Sequence, residues 1–192
     1  MKKVLFIMLV LCLGSNVNAQ FFERDINYLN IGYGIGLGGG NLLNAYQMND
    51  NYKFRRLGPV AFSYERGVTD NIGIGVSIGY SSYGADWVET NYNYKYRWTT
   101  LSIMARGAYH FNVRNRQFDP YVGAGVGFLK FGYNWETNQP GFNENAQNIN
   151  FGTPIGYQIF VGARYMFNDN FGAYAEVGYG LSVANAGITI AF

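Results

Sequence analysis

The sequence predicts an all-β fold, an eight-stranded antiparallel up-and-down transmembrane β-barrel, and three observations carry that prediction. Large apolar residues alternate with glycine or small polar residues in segment after segment, which puts the large side chains on one face of each strand. Glycine, tyrosine and phenylalanine are abundant while charges are few, as expected of a barrel with aromatic belts. The connections fall into short turns around Asp70, Asn115 and Asp169 and long segments at 39–58, 84–96 and 132–154. Outer-membrane barrels show that asymmetry, with short periplasmic turns and longer outer loops.

Each strand follows from the same period. The first, Tyr28 to Gly38, sets Leu29, Ile31, Tyr33, Ile35 and Leu37 against Asn30 and glycines. The second covers about Pro59 to Arg66, with Val60, Phe62 and Tyr64 outward. The third alternates Ile72, Ile74, Val76, Ile78 and Tyr80 with Gly and Ser. In the fourth, Leu101, Ile103, Ala105, Tyr109 and Phe111 face out, and residues 112–119 form the next turn. The fifth places Val122, Ala124, Val126 and Phe128 outward. The sixth runs from about Ile155 to Phe167, the seventh starts at Phe171, and the eighth ends on Ala184, Ala186, Ile188, Ile190 and Phe192. An even strand number places both termini on one side. Pro59, Pro120 and Pro154 are expected at strand starts, where a missing N–H is tolerated. Asp70-Asn71-Ile72-Gly73 and Asp169-Asn170-Phe171-Gly172 form a weak internal repeat.

A soluble barrel with the apolar face turned inward is the alternative, as in lipocalin-like folds. It would expose rows of glycine to water and overfill an interior that barely holds side chains. At the N-terminus, Lys2 and Lys3 precede the apolar run Val4 to Leu13, and Val17-Asn18-Ala19 fits a signal-peptidase site. Residues 1–19 are therefore expected to be a secretory signal cut before Gln20, leaving 20–192 as the barrel domain. The apolar run is too short to span a bilayer as a helix. Cys12 falls inside the signal, so no disulfide, thiol chemistry or lipid anchor is expected. Loss of Lys2 and Lys3 cancels the formal charge of +2, which leaves no basic field for nucleic acid.

Asp119-Pro120-Tyr121-Val122-Gly123-Ala124-Gly125, and Gly162-Ala163-Arg164-Tyr165 through Glu176-Val177-Gly178-Tyr179, are the segments that make the chain resemble a known family. It resembles the small outer-membrane β-barrels that include the OmpA transmembrane domain and OmpX, over essentially all of 28–192. The resemblance implies a place in the outer membrane of a Gram-negative cell. It also implies that the terminal Phe192 is the signal read by the barrel-assembly machinery. These motifs specify fold far better than function.

The inward-facing residues are the candidate site. Glu65, Arg106, Arg164 and Glu176 sum to zero charge and each lies about five to seven residues from a periplasmic turn, hence at similar depth at ~3.3 Å per residue. They are expected to form one lumen charge network that plugs the barrel near its periplasmic half. His110 is inward too, with no serine or acid at a spacing that suggests a base and nucleophile pair, so no catalytic residue is expected. No metal site or cofactor is expected either, given one histidine and no mature cysteine.

Near the outer strand ends lie Arg55, Arg56, Lys95, Arg97 and Lys130, candidates for contacts with lipopolysaccharide phosphates. Tyr83, Trp87, Tyr92, Tyr94, Tyr96, Trp98, Phe131, Tyr133 and Trp135 lie among them and are expected to form an interfacial girdle. Loops 41–52, 85–96 and 133–150, rich in Asn and Tyr, suit contacts with an extracellular partner. The functional expectation is a structural or surface-interaction barrel with no enzyme activity. The alternatives are a narrow channel for small or apolar solutes and, less favoured, a lipid-A-modifying enzyme.

Overall fold

Alternating residues form nine strand segments: β1 (Asn27–Gly36), β2 (Tyr52–Gly67), β3 (Ile72–Glu89), β4 (Tyr92–His110), β5 (Phe118–Thr137), β6 (Ile149–Asn150), β7 (Ile155–Met166), β8 (Phe171–Tyr179) and β9 (Ser182–Ala191). The computed structural model describes residues 21–36, 52–89, 91–141, 149–150, 155–180 and 182–192. The expected signal 1–19, Leu37, Gly38, loop residues 41–51 and Pro154 lie outside them. Every pairing is antiparallel, in the order β4-β3-β2-β1-β9-β8-β7-β5, and β4 pairs with β5 to close the ring. The two residues of β6 lie along β5, so the barrel has eight staves.

The expected facing holds on every stave. Ile72, Ile74, Val76, Ile78 and Tyr80 are exposed, as are Ile103, Val126, Phe128, Ile159 and Val177, while their neighbours in sequence turn into the lumen. The internal repeat has a structural meaning. Val68 N and Thr69 N both donate to Ile72 O, and Phe167 N and Asn168 N both donate to Phe171 O. Thr69 Oγ1 accepts from the N–H groups of Asn71 and Ile72, just as Asn168 Oδ1 accepts from those of Asn170 and Phe171. Asn71 and Asn170 then each donate their side-chain amide to a carbonyl of the adjoining strand, His110 O and Ala191 O. Short polar side chains thus fix two of the three tight turns.

The strands extend further than the amphipathic pattern indicates. β3, β4 and β5 contain 18, 19 and 20 residues, against 9 in β8 and 10 in β9. Segment 84–96, expected as a loop, is a continuous ladder in which Asp86 opposes Lys95 and Trp87 opposes Tyr94. It turns at Asn91, whose φ of 67° lies in the left-handed region that Asn tolerates. β2 starts at Tyr52 and β5 continues to Thr137, so the expected loops 39–58 and 132–154 are shortened as well. Above the apolar belt the alternation continues with its polarity inverted, Tyr94, Tyr96 and Trp98 turning inward and Lys95, Arg97 and Thr99 outward, so the strand runs on past the level where apolar residues face out.

Two further expectations change. Pro59 does not start its strand; it lies inside β2, where the register shifts between Leu57 and Val60. A bulge accommodates a residue that cannot donate to the ladder. Asp119 belongs not to the turn but to the start of β5, opposite Arg164. The register also turns Tyr83, Trp87, Tyr94, Tyr96, Trp98, Phe131, Tyr133 and Trp135 to the inner face, so they line the mouth instead of girdling the barrel. The outward aromatics are others: Tyr33, Tyr80, Phe128, Tyr157 and Tyr179 toward the outer side, and Tyr64, Tyr109, Tyr165, Phe167 and Phe171 toward the turns.

Candidate functional site

The lumen is filled upward from the end that carries the short turns. At the floor, residues just before β1 fold back into the barrel. Phe22 is fully buried and stacks on Tyr28, with centroids 5.1 Å apart, and on the His110 ring at 3.6 Å with planes 4° apart. The Tyr28 hydroxyl donates to Phe21 O at 3.2 Å, and Met166 and Ala191 complete this layer. The N-terminal segment therefore acts as a bung, a feature without any periodicity to betray it in the sequence.

Directly above, the structure brings Glu65, Arg106, Arg164 and Glu176 together and adds two members, Asp119 and His110. Arg164 spans two carboxylates, Nη2 to Glu65 Oε1 at 2.7 Å and Nη1 to Asp119 Oδ2 at 3.1 Å. Arg106 Nη2 reaches Glu176 Oε1 at 2.6 Å, and its Nε faces Glu65 Oε2 at 3.9 Å. His110 sits between acids, with Nδ1 2.7 Å from Asp119 Oδ1 and Nε2 3.0 Å from Glu65 Oε1. Three carboxylates thus meet two guanidinium groups and one imidazole. All six side chains are buried, with Arg164 and His110 wholly so. Burying unpaired charge is costly, so each group is held by its partners.

Aromatic rings wall the cluster. The Tyr121 hydroxyl donates to Glu176 Oε1 at 2.9 Å. The Arg106 guanidinium lies 4.0 Å from the Phe160 ring centroid, and that of Arg164 lies 4.5 Å from Tyr28 and 4.9 Å from Tyr121. The lumen glycines make room for these groups. A Cβ on Gly162 would stand 2.6 Å from the Tyr121 ring, and one on Gly73 would stand 2.8 Å from the Glu65 carboxyl carbon. Gly162→Val is therefore expected to lower stability by about 1–3 kcal/mol through overpacking, measured by urea unfolding in micelles. An unchanged midpoint would show that the Tyr121 ring moves aside freely.

Above the charge layer the interior becomes polar and small. Ser63, Ser77, Ser102, Gln158 and Asn185 surround a cavity of about 50 Å³, room for little more than water. Higher still, the inward aromatics form a cluster in which Trp87 stacks on Tyr94 and meets Trp135 edge-on, both at 5.3 Å.

The two added members of the cluster escape sequence reasoning for different reasons. Pro120 makes Asp119 look like turn, although the alternation Asp119, Tyr121, Gly123 already puts it on the lumen face. The carboxylate partners of His110 lie across strands, at a separation no motif records. Its buried ring, stacked on Phe22, suits a structural role. No group of three or more His, Cys, Asp and Glu side chains that could hold a metal ion occurs among the described residues. No described helix is long and apolar enough to cross a membrane, which says nothing of strands.

The five rim cations are not one group. Arg55, Lys95, Arg97 and Lys130 share the outer face, whereas Arg56 opposes the buried Tyr83 and lies on the inner one. Phe192 is fastened by paired backbone hydrogen bonds to Asn27, and its ring is exposed on the outer face.

A closed barrel with an exposed apolar belt has a counterpart among family models: the outer membrane protein beta-barrel domain matches residues 9–185. The chain belongs to that family. Among solved structures it is similar to the outer membrane protein OprG of Pseudomonas aeruginosa, at 13% identity and a TM-score of 0.50, covering 90% of this chain and 99% of that one. It also matches Outer Membrane Protein W of E. coli, at 15% identity and a TM-score of 0.47, covering 88% of this chain and 99% of that one. A designed transmembrane β-barrel matches at 16% identity and a TM-score of 0.46, covering 88% and 97%. No curated protein sequence matches the chain. Membership of the family supports a place in the outer membrane, where the exposed belt of Ile, Val, Tyr and Phe meets lipid.

Proposed function

We propose that the protein is a sealed outer-membrane barrel with a structural or surface-interaction role, and that it conducts no solute. The observation that carries this reading is the buried cluster of Glu65, Arg106, His110, Asp119, Arg164 and Glu176, stoppered by Phe22. Eight-stranded barrels hold interiors that side chains can fill, and this one is filled by groups that hold one another. The tall wall of β2 to β5, with its aromatic mouth, supports contact with an extracellular partner. Insertion by the barrel-assembly machinery, with Phe192 as its signal, belongs to the same reading, as do an export signal cut before Gln20 and the absence of catalysis. The test is efflux of a glucose-sized solute from proteoliposomes holding the refolded protein. Release no faster than from empty vesicles is expected. Release well above that background would replace this reading with the conduit.

A further inference from the structure

We infer that the outer wall of β2 to β4 carries a binding site for the phosphorylated headgroup of an outer-leaflet lipid, centred on a recess over Gly84. The inference rests on membership of the membrane family and not on the sealed lumen. On this wall the exposed side chains change character at one level. Leu57, Tyr80, Leu101 and Phe128 end the apolar belt, and the next outward residues above them are Arg55, Ser82, Thr99 and Lys130. Cations at that level face the headgroups of a bilayer.

Gly84 is the register partner of both Arg55 on β2 and Arg97 on β4. Gly84 itself is buried and adds no side chain between the two arginine-bearing strands, and a recess of about 300 Å³ that it lines opens there. Leu57 and Tyr80 border it on the belt side, where an acyl chain would lie, and Lys95 borders it above. Asp86 shares the recess but is held by Arg55 Nε at 2.8 Å, and Lys95 Nζ holds Glu136 at 2.7 Å. The Lys95 hydrogen bond keeps the Glu136 carboxyl below its usual pKa, so this acid stays charged and paired. Arg97 makes no ion pair among the described residues, though its charge also acts on Glu136, and Lys130, outside the recess on β5, makes none either. Lys53, opposite Asp86, adds a further cation.

The charge is also one-sided. Among the described residues of β1, β7, β8 and β9 the only Lys or Arg is Arg164, which points into the lumen. Snorkelling cations that merely anchor a barrel would be spread around its rim. Here they gather on the one wall that has a recess between them and apolar residues below. An amphiphile with an anionic head fits both parts, and phosphate is the group that guanidinium forks bind best. In an outer membrane this is the chemistry of lipopolysaccharide.

The test uses the refolded protein in phosphatidylcholine nanodiscs doped with diphosphoryl lipid A or with lipid A stripped of its phosphates. Native mass spectrometry after detergent release counts the lipid retained. Retention of the diphosphoryl form alone is expected, with a loss of about tenfold in Arg97→Gln and a clear loss in Arg55→Gln. Arg116→Gln, a cation at the periplasmic turn, should retain lipid like the wild type. Arg55→Gln also serves as the second variant should Arg97→Gln fail to fold. Equal retention of both lipids, or equal loss in Arg116→Gln, would overturn the site. Displacement by inorganic pyrophosphate at matching concentrations would overturn the lipid as its ligand.

Discussion

Arg164→Met is expected to destabilise the barrel by about 3–5 kcal/mol, because it leaves Asp119 buried with only His110 and Glu65 with only His110 and the more distant Arg106 Nε. The cost comes from uncompensated charge rather than lost volume, since Met fills much of the space that Arg occupied. Adding Glu65→Gln to Arg164→Met should therefore recover a large part of the loss. Both variants can be read by urea unfolding in micelles, with Arg24→Met as a control at an exposed ion pair worth little. If Arg164→Met unfolds within about 1 kcal/mol of the wild type, the cluster is separately hydrated and not a mutually dependent layer.

Phe22→Ala should cost about 3 kcal/mol or more, the range for emptying a buried aromatic site. The ring is sandwiched between His110 and Tyr28, so its removal exposes the floor of the charge layer to the periplasm. Two readouts should move together: a lower unfolding midpoint, and faster hydrogen exchange at the His110 ring. On the proposed reading conductance should not appear, because Arg106 remains paired with Glu176 and packed on Phe160 above. A variant with wild-type stability and unchanged exchange would show that the N-terminal segment is not a bung.

Much of the fold was legible because a membrane barrel forces a period of two. Lipid on one side and a narrow lumen on the other leave each strand residue only two environments, and Ile72 to Ser81 records that choice without a break. The upper parts of β3 to β5 read as loops because the polarity of the alternation inverts there, with aromatic side chains turned inward and polar ones outward. Even so, counting by twos from Leu101 places Arg97 and Lys95 outward and Trp98 and Tyr96 inward, so the facing of the mouth aromatics was available in the sequence. On β2 the phase flips at Gly58-Pro59, and only the bulge explains why odd residues face out below 58 and even ones above.

The candidate site was legible in part for the same reason. Charges at inward positions near the turns had to meet, and Glu65, Arg106, Arg164 and Glu176 do. The stoichiometry was not legible. Asp119 adds a third carboxylate and His110 bridges two of them, an arrangement set by the stagger between β2, β4, β5 and β7. Phe22 belongs to an irregular segment, whose place depends on the cavity that receives it.

Single-channel recording of the refolded wild-type protein in a planar bilayer tests the central claim most directly. A bilayer that stays silent with protein verified as folded is the predicted result, since on the proposed reading the buried layer of Arg106, Glu176, Glu65 and Arg164 seals the lumen. Discrete, reproducible openings from the wild type would contradict it and make the charge cluster a gate in a conducting barrel.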